Sequence, residues 1–580
     1  MLLLGYILGF AAILLLMRKK SQGARTLAVI TYNYLFAVVM QTATVLANTD
    51  YSIQTTAETI LKSIYSSPPA ITFRGNMGSA SGIQQIAIYC IMSIYTLRAA
   101  VTLFFRKAAN LLRMGWRVAR KREIYVLWGG REDAGVLAKD IASRVRRPAV
   151  VWIPFSGNAD SGMAVLPSDE TFFDRLKARR TYHVTLLPDP DGRNPARLRK
   201  LDAIPRKGTP LRVTAVLDDD TLRLDTLKYE RIDAYLVSEG ALLFDKALEA
   251  GRPLELTEKR AGGTVREGVF VPARPFRLAS AGFGPLTRAF LLSACENAAF
   301  ETGDSPCGLE ATVYGADAKA WRGFLMDYPA LSLSAELRQG TGDAAFALAE
   351  ALGAPETRPD CILIAAESTA ENAVLAKRLL RGMNRIGLAE EKRPLLLVAV
   401  RESADSGVAM LEGHPEVFLL RQDRTILNYD ALILRAGDRK AEEFHRQYRE
   451  KNPQSPVWSA LDTFTQDSNR AAVRDEENKR LLARDLTEEG ETALWALARY
   501  EHRRWVAFHA AHGWVPLAPE ELTEEERAGF ITKRTEERRH ACMTGWDELN
   551  ALPQREPGLL QRYDYENVKA VFEDTGKSGR

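Results

Sequence analysis

MLLLGYILGFAAILLLM, residues 1–17, is apolar without interruption and stops at Arg18, Lys19 and Lys20. TLAVITYNYLFAVVMQTATVLA (26–47) and IQQIAIYCIMSIYTLRAAVTLFF (83–105) repeat the pattern. A helix crosses the hydrocarbon of a bilayer with about 20 residues, and about 17 suffice. No positive residue precedes the first run and no small-residue cleavage pattern follows it closely, so it reads as an anchor rather than a signal peptide. Residues 1–105 are therefore expected to form a three-helix transmembrane region, with helices at about 1–17, 26–47 and 83–105.

The basic residues orient it. Residues 18–25 carry four Lys or Arg, and the basic juxtamembrane linker 106–122 carries seven with no acid. The intervening 48–82 loop has Lys62 and Arg74 against Asp50 and Glu58. The positive-inside rule places the N-terminus outside and everything after 105 in the cytoplasm. The lipid bilayer is thus a partner, and the expected location is a bacterial inner (plasma) membrane, crossed three times. Arg98 lies inside the third span, near enough its cytoplasmic end to snorkel, and otherwise a pore or gating candidate. No TVGYG-like filter is present.

The rest of the 580 residues is long enough for several domains. Its formal net charge of +4, from 78 basic and 74 acidic residues, gives no reason to expect nucleic acid. Five cysteines (Cys90, Cys295, Cys307, Cys361, Cys542) form no CxxC pair, so no zinc site is expected.

From residue 123 strands alternate with helices, which argues for parallel, doubly wound sheets. In 123–270, REIYVLWGGREDAGVLAKDIASR is a strand, a glycine turn and a helix. Gly129, Gly130 and Gly135 are not spaced as GxGxxG, and the next strand ends in Pro154-Phe155-Ser156 without a ribose-holding acid. This unit reads as a degenerate Rossmann-like scaffold. In 275–440, FRLASAGFGPLTRAFLLSA places Gly282 and Gly284 between a strand and a helix, where backbone N–H groups can approach a phosphate. The third glycine position holds Thr287, and Asp317 ends the following strand. GFG at 282–284, the strand ending in Asp317 and ILIAAESTAEN at 362–372 resemble the TrkA-N/RCK family, the Rossmann-type regulatory domains of potassium transporters and channels. The resemblance implies nucleotide binding at Gly282, Gly284, Thr287 and Asp317, with pairing of copies.

Beyond about 445 the strand pattern stops. In LARYEHRRWVAFHAAHGW (497–514), a turn of about 100° per residue brings Ala498, Glu501, His502, Trp505, Phe508, His509 and His512 onto one arc, with Arg499 and Arg503 opposite. That face either packs a structural polar network or receives a polar ligand. The landmarks Ser468-Asn469-Arg470, Glu501-His502-Arg504-Trp505, Gly513-Trp514 and His540, Trp546, Leu549 are similar to those of the RyR domain, the helical repeat named for ryanodine receptors. The resemblance implies an all-α RyR domain over 445–575 that senses a nucleotide-derived signal. Trp505, Trp514 and Trp546 could stack on a base, while Asn469, Arg470, Glu501, His502 and Arg504 could bond ribose or phosphate.

No GxSxG, metal set or acid–base pair assembles from this sequence, so an enzyme is not expected. The leading expectation is a multi-domain, homo-oligomeric membrane protein. Its RCK-like and RyR domains would bind a nucleotide-type ligand (NAD, ADP-ribose-like or a cyclic nucleotide) and gate a pore or channel, in bacterial stress or antiphage defence. The alternatives are a non-conducting anchored scaffold and a membrane-tethered NAD-using enzyme.

Overall fold

The computed structural model describes residues 6–10, 12–13, 28, 31–33, 35–36, 39, 94, 114–155, 165–177, 179–189, 191–205, 210–303, 305, 307–401, 406–484 and 490–573. Two compact units are separable, residues 1–120 with 162–166, and the remainder.

In the first unit, the Tyr6 hydroxyl donates to Asn33 Oδ1 at 2.9 Å, and the Tyr32 hydroxyl donates to the Tyr6 carbonyl at 2.9 Å. Such bonds tie neighbouring helices together and satisfy their buried polar groups. In the basic linker, Arg120 lies over the Trp116 ring at 4.0 Å. Most of the three expected spans, Arg98 included, lies outside the described residues. No helix among the described residues is long and apolar enough to cross a membrane.

The second unit is built on two parallel six-stranded sheets. The first holds β1 (Glu123–Trp128), β2 (Val150–Ile153), β3 (Leu166–Pro167), β4 (Thr181–Leu186), β5 (Leu211–Leu217) and β6 (Ile232–Ser238), in the order β3-β2-β1-β4-β5-β6. Helices α1 (Arg131–Arg144), α2 (Asn194–Asp202), α3 (Asp219–Leu224) and α4 (Glu239–Ala247) join them. β1 is buried at every position after Glu123, as expected of a strand covered on both faces. After α5 (Pro253–Ala261), a hairpin of β7 (Gly263–Arg266) and β8 (Val269–Pro272) turns at Glu267-Gly268, both at positive φ.

The second sheet repeats the plan with β9 (Phe276–Ala281), β10 (Leu309–Tyr314), β11 (Ala335–Gln339), β12 (Cys361–Ile364), β13 (Leu395–Val400) and β14 (Val417–Arg421), ordered β11-β10-β9-β12-β13-β14. Its helices are α6 (Pro285–Asn297), α7 (Ala318–Asp327), α8 (Ala344–Gly353) and α9 (Thr369–Arg385). Both sheets thus have the Rossmann strand order, reversing direction between the first and fourth strands of each.

The two sheets are joined through α4 and α6. Gly240 lies against Ala289, where a β-carbon would clash, and Phe244 meets Phe290 edge-on at 5.2 Å. After β14 the chain returns to the first sheet. Thr214 donates to the Leu432 carbonyl at 2.8 Å, and Arg435 reaches Asp233 at 2.7 Å.

Helices α10 (Ala436–Lys451), α11 (Thr463–Leu482), α12 (Gly490–Ala510) and α13 (Leu559–Glu573) follow. This body is not all-α: β15 (Val515–Pro516), β16 (Lys533–Arg534) and β17 (Arg539–His540) form a small sheet ordered β15-β17-β16. Strands of two residues are too short to leave a period-2 signal in the sequence.

Candidate functional site

Ligands of open α/β sheets sit beyond the strand carboxyl ends, where the strand order reverses. In the second sheet that point lies between β9 and β12. Gly282 has φ +99°, and a β-carbon there would collide with the Ala365 carbonyl at the end of β12. Only glycine permits both the backbone angle and the approach. Gly284 is the N-cap of α6, and a β-carbon there would have no heavy atom within 4 Å. The α6 terminus has no side-chain cap and no acid in its first turn. Unpaired N–H groups and the positive end of the helix dipole therefore favour an anion here.

Around this opening, Thr287 is fully buried and its hydroxyl has no hydrogen-bond partner among the described residues. Asp317 is exposed and caps α7, its Oδ1 accepting from the Lys319 and Ala320 N–H groups at 2.9 and 3.0 Å; these bonds hold its carboxyl below the usual range. Asn372 accepts from the Ala366 N–H at 2.8 Å and donates to the Ala399 carbonyl at 3.0 Å, pinning the ends of β12 and β13. Phe283 is spent on packing, edge-on to Trp321 and Phe324. The structure thus brings Gly282, Gly284, Thr287 and Asp317 to one end of one sheet.

The matching point in the first sheet is filled by its own side chains. A β-carbon on Gly129 would strike Leu187, and Trp152 Nε1 donates to the Gly129 carbonyl at 3.0 Å. Arg197 lies over the Phe155 ring at 4.1 Å. Glu132 and Asp133 occupy the first turn of α1, where they oppose an anion.

Helix α6 also ties the two sheets electrostatically. Near its start Arg288 pairs with Asp220 of the first sheet, whose other oxygen accepts from the Tyr328 hydroxyl at 2.9 Å. Near its end Glu296 pairs with the buried Arg223, which also reaches Asp219 at 2.7 Å.

In the C-terminal body the residues singled out from sequence are divided among several environments. Glu501 and Arg504 pair with each other at 2.8 Å, and Lys479 reaches Glu501 at 2.8 Å and Asp475 at 3.1 Å. All four are buried. Burial works against ionisation of Glu501, yet Arg504 and Lys479 overrule it and hold the carboxyl at about 2. Trp505, Trp514, His509 and His540 pack together, with Trp505 and His509 ring centroids 3.7 Å apart. Arg470 joins Asp438 at 2.7 Å and also pairs with Asp467, beside a cavity of about 490 Å³ between the first sheet and α10–α12. Asn469 donates to the Thr465 carbonyl at 2.7 Å, within its own helix. His502 and Trp546 line a different cavity of about 450 Å³. The arc of 497–514 is thus largely interior, because α12 packs against α6, α11 and α13 and is buried on more than one side.

Lys479 escaped sequence reasoning because it lies in the charged run RDEENKR (474–480), which reads as a solvated face. Arg499 and Arg503, opposite that arc on α12, line the cavity that holds His502 and Trp546. Among the described residues no group of three or more His, Cys, Asp or Glu is placed to hold a metal ion. No protein-family model and no curated protein matches this chain.

Proposed function

We propose that this protein is a membrane-anchored sensor. Its body binds a nucleotide-type ligand and thereby gates an oligomeric pore or channel formed by the N-terminal helices in a bacterial inner membrane, in a stress or antiphage response. The observation that carries this reading is the uncapped, sterically open start of α6 at the strand-order reversal of the second sheet. Phosphate oxygens accept hydrogen bonds from such a terminus, and Asp317 at the end of the neighbouring strand, one oxygen spent on capping α7, would offer its other oxygen to a ribose. The resemblance of 276–402 to TrkA-N/RCK domains and of 445–575 to RyR domains agrees with a regulatory role.

Coupling would run through α6. Its first turn holds Arg288 on Asp220, so an anion at the helix start perturbs the tie between the sheets. A ligand shifts such an equilibrium only by binding one state better than the other. The test is calorimetric titration of the full chain in nanodiscs with NAD and cyclic dinucleotides, followed by ion flux from liposomes. Saturable binding lost in Gly284→Ala, with ligand-dependent flux, supports the reading. Binding without any change in flux overturns the gating, and no binding by folded protein overturns the sensor.

A further inference from the structure

The cavity that holds His502 and Trp546 does not end at α12. It shares Glu301, Arg499 and Arg503 with a second cavity of about 240 Å³, so the two abut across a pair of guanidinium groups. The larger chamber, about 450 Å³, is walled by Leu333, Val506, Met543 and the half-buried Trp546. The smaller is walled by Val269, Phe270, Phe300, Ala496 and Tyr500. The groove therefore runs between the C-terminal helices on one side and the β7–β8 hairpin and second sheet on the other.

Each chamber offers aromatic and aliphatic side chains, with Arg499 and Arg503 where the two meet; Arg266 and Glu267 also line the smaller chamber and Glu548 the larger. The acids facing the two arginines sit at the outside: Glu267, which pairs with Arg499, and Glu301 are both exposed. The exposed pair of Arg499 and Glu267 contributes little, so an entering anion can replace it. Arg503 is more enclosed, and burial lowers its pKa while Glu301 raises it. A desolvated guanidinium gains more from a phosphate, which it can bind through two parallel N–H bonds, than from a solvated carboxylate.

The wall carrying Trp546 is held in advance. His502 Nε2 donates to the Thr544 carbonyl at 2.9 Å, and Gln561 donates to the Trp546 carbonyl at 2.9 Å. Trp495 and His502 brace the indole edge-on, at 6.5 and 5.8 Å. Gly545, between these anchors, is exposed and adds no side chain to the rim. Preorganised walls lower the ordering cost of binding.

We propose that this groove is a second ligand site, separate from the glycine turn at 282–284, for a small molecule with two heteroaromatic rings joined through phosphate. One ring lies against Trp546 and Val506, the phosphate linkage lies on Arg499 and Arg503, and the other ring occupies the chamber at Phe270 and Phe300. A ligand with one ring fills only one of the two chambers. The proposal rests on the sensor reading only for its biological use; the site stands on its own geometry.

The experiment uses the full chain in nanodiscs, with diadenosine diphosphate as the two-ring probe and AMP and ADP-ribose as one-ring probes. Wild type is compared with Arg503→Gln, Trp546→Ala and Gly284→Ala, each checked for an unchanged melting temperature. The expected result is tighter binding of diadenosine diphosphate than of either one-ring probe. Arg503→Gln should weaken it about tenfold or more, the size of one lost charge-assisted contact, and Trp546→Ala should weaken it too, while Gly284→Ala leaves it unchanged. Equal affinity for AMP overturns the two-chamber assignment. Loss in Gly284→Ala but not in Arg503→Gln places the probe at the glycine turn and overturns the groove site while sparing the sensor reading. No binding of the two-ring probe by folded wild type overturns the proposal, even where NAD binds and that binding is lost in Gly284→Ala.

Discussion

His502 of α12 and Asp564 of α13, 62 positions apart in the chain, face each other inside the C-terminal body. The Thr544 carbonyl, 2.9 Å from Nε2, can only accept, so that nitrogen carries a hydrogen. Nδ1 lies 3.2 Å from Asp564 Oδ2, and that contact bonds only if imidazole or carboxyl is protonated there. Burial raises the pKa of Asp564, and His502 pulls it back. Asp564→Ala would strand Nδ1 inside the body and cost about 1–3 kcal/mol. Asp564→Asn, whose amide donates to a neutral Nδ1, should retain most of it. Chemical denaturation of both variants checks the pair: equal losses would refute a hydrogen bond at Nδ1.

The cluster of Lys479, Glu501, Arg504 and Asp475 should fail when one charge is removed. Glu501→Gln leaves Lys479 and Arg504 sharing a single buried carboxylate, and losing one partner of a buried pair costs about 3–5 kcal/mol. Adding Lys479→Met should restore part of this. Urea midpoints of the single and double variants decide it; a Glu501→Gln midpoint equal to wild type would show that the cluster is not sensed as a unit.

Acid should loosen the C-terminal body before it reaches the carboxylates. Burial, with smaller contributions from Lys533 and His502, brings His540 down to about 4, and burial holds His509 well below its ordinary range. A histidine that is harder to protonate when folded stabilises the fold above its unfolded pKa near 6.5, and that stability is lost as pH falls toward 4. For His540 the loss is of order 3 kcal/mol at the acid end. Melting temperature should therefore decline between about pH 6.5 and 4, and His540→Asn should flatten the decline. A flat wild-type profile over this range would count against the burial of these rings.

The junction of the two sheets should depend on Gly240. Because α4 and α6 meet there against Ala289, Gly240→Ala forces a backbone shift costing about 1–3 kcal/mol. Pairing it with Ala289→Gly should recover much of the loss, as read by thermal melts.

The two glycines of the turn should separate fold from ligand. Gly282→Ala must take a β-carbon to φ +99° and into the Ala365 carbonyl, so it should lower stability. Gly284→Ala meets nothing within 4 Å at an extended φ of −87° and should melt like wild type while crowding the anion position. Equal melting temperatures for the two would contradict the geometry of this turn.

The sequence by itself determined the local architecture. IYVLW (124–128) and LLLVAV (395–400) are apolar without alternation and become strands buried on both faces. Gly282, Gly284, Thr287 and Asp317 come from consecutive strand–turn–helix units, and local chemistry sufficed to place them at one sheet end. Tertiary structure decided the rest. Nothing near residue 432 announces that the chain returns to Thr214, and nothing near Glu501 announces Lys479 as its partner. Asp564 lies 62 positions from His502, and the cavity beside Arg503 is lined by Val269 and Phe270, more than 230 positions earlier in the chain. Hydrophobic periodicity is a property of neighbours along the chain, so a short window reveals it. Hydrogen bonds and close ion pairs act over a few ångströms, so the partner of a charge is settled only when distant segments pack together.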